Sequence, residues 1–125
     1  MAFVCFVVSV DRESERKIVD ILQPSSPDHS VLAEEETNLK SAQSEYRWII
    51  DPLDGTTNFA HGYPQFCVPI ALELNGAVTV GLVYDPLRCK CFGAARGQGA
   101  TLNGQPIQTS PVNKRNRFVG GVNLD

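Results

Sequence analysis

Residues 51–59, reading Asp-Pro-Leu-Asp-Gly-Thr-Thr-Asn-Phe, combine residue types and spacing suited to holding a divalent cation against a phosphate. Two carboxylates three positions apart follow the apolar run Trp48-Ile49-Ile50 and precede a Gly-Thr-Thr turn. Mg²⁺ takes oxygen ligands in near-octahedral geometry, keeps several waters, and is usually held by one or two carboxylates plus phosphate oxygens. Asp51 and Asp54 are carboxylates of that kind. Pro52 stops regular strand pairing, which leaves the Leu53 carbonyl free as a further oxygen ligand. Gly55 permits a tight backbone path. Thr56 and Thr57 stand at an expected helix start, where free N–H groups attract anions. The plainer alternative is a polar turn, because Asp, Pro and Gly are common turn formers.

The longer string favours the chemical reading, since it matches the metal-binding signature of the inositol monophosphatase family residue for residue. The chain resembles that family elsewhere too. Segment 27–35, Pro-Asp-His-Ser-Val-Leu-Ala-Glu-Glu, is similar to the family strand that delivers a glutamate to the metals, here Glu34, with Ala33 where relatives usually have glycine. Val10-Asp11 followed by Glu15 resembles the segment whose aspartate sits beside the motif's threonine, so Asp11 is expected to pair with Thr56. Segments 62–66, 81–86 and 97–104 follow in the family's order.

The resemblance implies a small-molecule phosphate monoester as substrate and Mg²⁺ as cofactor. Glu34, Asp51 and the Leu53 carbonyl are the implied ligands of one ion. A second ion is implied at Asp51, Asp54 and a third aspartate, which the family carries in a Trp-Asp setting absent from these 125 residues. Catalytic roles fall on Glu34, Thr56 and Asp11, which orient the attacking water, and substrate contacts on Glu34, Leu53, Asp54, Gly55 and Thr56. Thr56-Thr57-Asn58-Phe59 resembles the inositol monophosphatase branch, which points to inositol 1-phosphate. A 3′,5′-bisphosphonucleotide or another sugar phosphate is the alternative substrate. The second reading of the whole chain is a truncated, inactive family fragment that keeps partial metal binding. The resemblance also implies homodimerisation. His29 and His61 fall outside the ligand pattern.

Positioning these residues requires a particular set of elements. Asp11 is expected to cap a helix over 11–22, with an apolar stripe of Ile18, Val19, Ile21 and Leu22. A short strand at 31–33, a polar loop at 34–44 and a buried strand at 48–50 lead to the motif. Within the loop, Glu35 and Glu36 read as parts of a solvated turn. Strands at 66–74 and 77–84 flank Asn75-Gly76, a strong hairpin signal. A third strand over 89–95 follows, with Cys89 and Cys91 on one face, and Asn103-Gly104 turns the chain into 105–108. Pro69 lies inside the 66–74 strand and is expected to weaken it. The expected fold class is α+β, a layered α/β sandwich of the inositol monophosphatase type. This chain would hold its N-terminal part, a mainly antiparallel sheet with flanking helices. The implied organisation is a divergent or truncated N-terminus at 1–10, in place of a family helix, a metal-binding part at 11–111, and an unassigned tail at 112–125.

Composition bounds the remaining classes. A chain of 125 residues, 42% hydrophobic and 20% charged, is an ordinary globular composition. Its longest apolar run, 2–8, is too short to span a bilayer and lacks a secretory signal's pattern, so no membrane partner and a cytoplasmic location are expected. The four cysteines lack zinc-site spacing and read as reduced thiols. Net charge is −3, but 86–124 carries Arg88, Lys90, Arg96, Lys114, Arg115 and Arg117 without an acid. That stretch holds no nucleic-acid motif and reads as a solvated face, so no nucleic-acid partner is expected.

Overall fold

The computed structural model describes residues 2–42 and 44–111, with side chains before Ser9 described only at Val7. The tail 112–125 lies outside the described residues. Helix α1 spans Ala2–Ser25. It corrects the expected start at 11: the helix runs unbroken across the 10/11 boundary, so Asp11 sits in mid-helix and caps nothing. Val7, Asp11, Glu15 and Val19 are buried. Their spacing of four aligns them on one helix face. Ile18 and Leu22 flank that face and pack on the sheet. Ile21, placed in the stripe by sequence, is 71% exposed, because it lies around the helix from Val19. No described helix is long and apolar enough to cross a membrane.

The strands are β1 (Ser30–Ala33), β2 (Asn38–Leu39), β3 (Tyr46–Ile50), β4 (Val68–Leu74), β5 (Ala77–Asp85), β6 (Lys90–Ala95), β7 (Gly99–Leu102) and β8 (Gln105–Ile107). One short helix, α2 (Thr56–Ala60), separates β3 from β4. Among the described residues these strands form one sheet in the order β2-β1-β3-β4-β5-β6-β7-β8. β1 and β3 are parallel, and every other neighbour is antiparallel. The architecture is thus α+β with a mainly antiparallel sheet. β2 falls inside the stretch expected to be loop.

Both Asn-Gly pairs turn as their sequence demands. Asn75 and Gly76 have φ of 51° and 79°, and Asn103 and Gly104 have 48° and 80°. Two consecutive positive φ values match the right-handed twist of the flanking strands. Cys89 departs from expectation: its φ of 50° puts it in the turn before β6, so it shares no strand face with Cys91.

Pro69 leaves β4 intact over seven residues. Its carbonyl accepts the N–H of Asp51 at 3.1 Å, just past the end of β3. In an antiparallel ladder a residue's N–H and C=O point to the same neighbour. The donor that proline lacks would therefore have faced Asp51, where the chain is already leaving the sheet.

The core lies where α1 crosses β1 and β3. Val19, Val31, Ala33 and Ile50 are buried together, with Trp48 and Ile70 packed around them. The valine and isoleucine side chains each contribute about 1.5–3 kcal/mol when fully removed from water. This packing fixes the edge at which β1 and β3 end.

Candidate metal and phosphate site

Parallel pairing places Ala33 opposite Ile50, so the next residues, Glu34 and Asp51, leave the sheet side by side. The Glu34 N–H donates to the Ile50 carbonyl at 3.2 Å. The two side chains meet: a hydrogen bond to Asp51, then its charge, raise the Glu34 carboxyl above its ordinary range. Two carboxylates in contact disfavour each other's charge, and a cation between them would relieve it.

Asp11 faces the same cluster from α1. It is 4% exposed, and its Oδ1 is buried without a hydrogen-bond partner among the described residues. Burial, followed by the charges of Glu35, Asp51 and Glu15, raises its pKa from 3.8 to about 6. No hydrogen bond joins Asp11 to Thr56 among the described residues. Helix and motif are tied one step away, where Ser14 Oγ donates to the Pro52 carbonyl at 2.9 Å.

The motif is a constrained turn. Asp51 Oδ1 accepts the Leu53 N–H at 3.1 Å, and Pro52 and Leu53 are buried beneath it. The Leu53 carbonyl takes no part in the backbone hydrogen bonds of the turn. Asp54 exchanges two backbone bonds with Cys67, at 2.8 and 3.0 Å, while its exposed carboxylate lies 3.8 Å from Cys67 Sγ. Burial and then the Asp54 charge push that thiol up. Gly55 adopts φ 92°, and a Cβ there would meet the Gln65 carbonyl oxygen at 3.0 Å and Phe66 Cα at 3.2 Å. Only glycine fits both demands. α2 follows as one turn, its Phe59 set edge-to-face on Phe66 with centroids 5.1 Å apart. Among the described residues, the N–H groups of Gly55 and Thr56 donate to no backbone acceptor.

The structure therefore brings Glu34, Asp51 and Asp11 together beside the Leu53 turn. It holds Asp54, Gly55 and Thr56 just beyond, with the Asp54 carboxylate turned toward Cys67. Among the described residues no three His, Cys, Asp or Glu side chains form a cation cage of their own. The donor set still suits Mg²⁺, which needs few protein carboxylates and completes its shell with water and phosphate. The contact of Glu34 with Asp51 and the buried Asp11 oxygen gather negative charge that a cation would relieve.

One residue escaped sequence reasoning. Glu15 is 2% exposed and accepts the backbone N–H groups of Glu35, Glu36 and Thr37. Burial raises its pKa, but a hydrogen bond from the Thr37 side chain and then these backbone bonds, Glu36's first, outweigh it and hold the carboxyl below its usual range. The turn at Glu35 and Glu36 is thus built around an internal anion at its backbone, while the Glu36 side chain stays exposed. Glu36 also pairs with Arg12 at 3.1 Å on the surface. The available signal was the Asp11-to-Glu15 spacing, which sets two acids on one helix face.

An α+β sheet whose parallel strand ends present paired carboxylates beside a glycine turn defines the structural class. The chain belongs to the inositol monophosphatase family, whose model matches residues 3–123. It is 50% identical over 104 residues to inositol-1-monophosphatase of Synechocystis, covering 83% of this chain and 36% of that protein. It is 44% identical over 110 residues to Nus factor SuhB of Pasteurella multocida, covering 88% and 40%. The inositol monophosphatase structure from Anabaena superposes with a TM-score of 0.78 at 46% identity, covering 88% of this chain and 44% of that one. An IMPase/NADP phosphatase solved with Mg²⁺ and phosphate gives 0.75 at 32% identity, covering 85% and 41%. The chain spans about 40% of the length of the relatives it matches.

Proposed function

We propose that this chain carries the metal-binding edge of a Mg²⁺-dependent phosphatase that hydrolyses a phosphate monoester, with inositol 1-phosphate as its substrate. The observation that carries the reading is the meeting of Glu34 and Asp51 at adjacent parallel strand ends, next to the N–H groups of Gly55 and Thr56, which meet no backbone acceptor among the described residues. Glu34, Asp51 and the Leu53 carbonyl would hold one Mg²⁺, and Asp51 with Asp54 would contribute to a second. When bound, the metal lowers the pKa of water and stabilises charge on the phosphate. Glu34 and Thr56 would orient the attacking water, with Asp11 buried beside Asp51 rather than bonded to Thr56. The N–H groups of Gly55 and Thr56 receive the phosphate oxygens, where a donor aimed at developing charge is most effective. The Mg²⁺ and phosphate bound by one structural neighbour support this assignment.

A second reading is that these 125 residues bind metal without turnover; they span about 40% of the length of the relatives they match. Mg²⁺-dependent phosphate release by the 125-residue chain decides between them, tested on inositol 1-phosphate and adenosine 3′,5′-bisphosphate. The phosphatase reading expects release from inositol 1-phosphate, reduced more than about a hundredfold in Asp54→Asn, as loss of a metal ligand should exceed that of an outer-sphere partner. No release from a chain with a folded circular dichroism spectrum favours the second reading, and preference for the nucleotide changes the substrate.

A further inference from the structure

The buried carboxylate of Glu15 has no part in the chemistry proposed above, yet it organises the loop that begins at Glu34. Its Oε2 accepts the Glu35 N–H at 2.8 Å, and its Oε1 accepts those of Glu36 and Thr37 at 3.0 and 2.6 Å. Three successive backbone N–H groups curl around one anion, the arrangement by which loops enclose phosphate and other charged groups. Here the anion comes from the chain's own helix. The Ala33 N–H closes the loop onto the Thr37 carbonyl at 2.8 Å. On the other side the Glu34 N–H is tied to the Ile50 carbonyl at 3.2 Å. Glu34 is therefore fixed from two directions, by β3 and by the loop gripped at Glu15. The Arg12 to Glu36 pair reaches the same loop, but exposed ion pairs contribute little.

We propose that Glu15 is a positioning residue: it folds residues 34–37 around its carboxylate and thereby sets the Glu34 side chain against Asp51, ready for a cation. This rests on the reading of Glu34 and Asp51 as cation ligands. Bonds from N–H groups to a carboxylate are charge-assisted and stronger than neutral ones. A single substitution dissects them with almost no change in size. Glutamine has one acceptor oxygen, which can keep the Glu36 and Thr37 bonds, and its amide group then opposes the Glu35 N–H as donor against donor.

The test is Mg²⁺ titration of the 125-residue chain by calorimetry, together with hydrogen exchange of amides 35–37 without metal. Glu15→Gln is expected to keep the wild-type circular dichroism spectrum, to speed exchange at the Glu35 amide about tenfold or more, and to weaken Mg²⁺ binding. That weakening should be about tenfold to a hundredfold, as for other groups that orient metal ligands. In a Glu34→Gln background the same change should alter Mg²⁺ affinity less than about twofold, because Glu15 acts through Glu34. A structural role alone would lower the melting temperature and leave the affinity of the folded chain untouched, or cost the same in both backgrounds. Either result overturns the proposal. A wild-type chain that binds no Mg²⁺ overturns the ligand reading and the proposal with it, whereas equal binding by wild type and Glu15→Gln overturns the proposal alone. If Glu15→Gln does not fold, Glu15→Asp serves: it keeps the charge but is one methylene short, so both losses should appear in part, and unchanged values count against the proposal.

Discussion

Asp11 is a carboxylate kept out of water among other acids, and that cost should be visible as a pH dependence of stability. Its pKa in the folded chain, about 6, lies above the ordinary 3.8, through burial first and the charges of Glu35, Asp51 and Glu15 after it. The folded chain thus keeps a proton that the unfolded chain has already released. Stability from this group is complete below about pH 4, falls as pH rises through about 6, and is absent above that. At 1.36 kcal/mol per pKa unit the difference is up to about 3 kcal/mol. Asp11→Asn, which cannot ionise, should therefore raise urea-unfolding stability by up to that amount near pH 8, as estimated from the linkage, and by little near pH 4. An equal effect at both pH values would mean that packing, and not charge, governs this position. Sequence placed Asp11 beside the motif through its resemblance, but its burial could not be seen there. Burial follows from residues 7–19 forming one helix face, which in turn depends on the sheet beneath it.

Among the elements, the turn from β3 into α2 is the one whose geometry the sequence states most fully. Asp-Pro-Leu-Asp-Gly prescribes a strand end, an Asp-centred turn and a left-handed glycine, and all three are found. The two Asn-Gly hairpins are equally legible, because each residue's φ preference acts locally. The long reach of α1 was not. Residues 2–8 are apolar on every side, so periodicity cannot tell helix from strand, and only docking decides. β2 was missed for a related reason: two residues, Asn38 and Leu39, pair with β1 at the sheet edge without any pattern of their own. Gly55 tests the turn directly. Gly55→Ala must place a Cβ 3.0 Å from the Gln65 carbonyl oxygen at φ 92°, so either the turn opens or β4 shifts. The expected loss is about 1–2 kcal/mol from the left-handed backbone alone. Urea unfolding should register it, and an unchanged midpoint would mean that the turn relaxes freely. Gly76→Ala, where a Cβ meets nothing within 4 Å, separates backbone strain from crowding.

At the scale of the whole molecule, the sheet has two unlike faces. α1 covers the one that carries Val31, Ala33, Trp48 and Ile50. On the other, strand register lines up Ile49, Ala71, Gly81, Ala94, Ala100 and Ile107 in a row across six strands. Small residues in the middle of that row make a trough of about 410 Å³, with Val83 and Phe92 on its side. Val83, Phe92 and Ile107 are 39%, 38% and 39% exposed there. Alternation along each strand could be read from sequence, but which face a helix covers depends on partners far along the chain. Contiguous exposed apolar surface of this kind drives association or dye binding in water. The 125-residue chain should therefore bind 8-anilinonaphthalene-1-sulfonate and sediment with a mass that rises with concentration. Ala94→Lys, which puts a charge in the middle of the trough and faces no core residue, should weaken both effects while leaving the circular dichroism spectrum and the Mg²⁺ titration as in wild type. A chain that stays monomeric and dark with the dye would show that the trough is filled from within the chain, and Ala94→Lys would then destabilise the fold instead of freeing it from association.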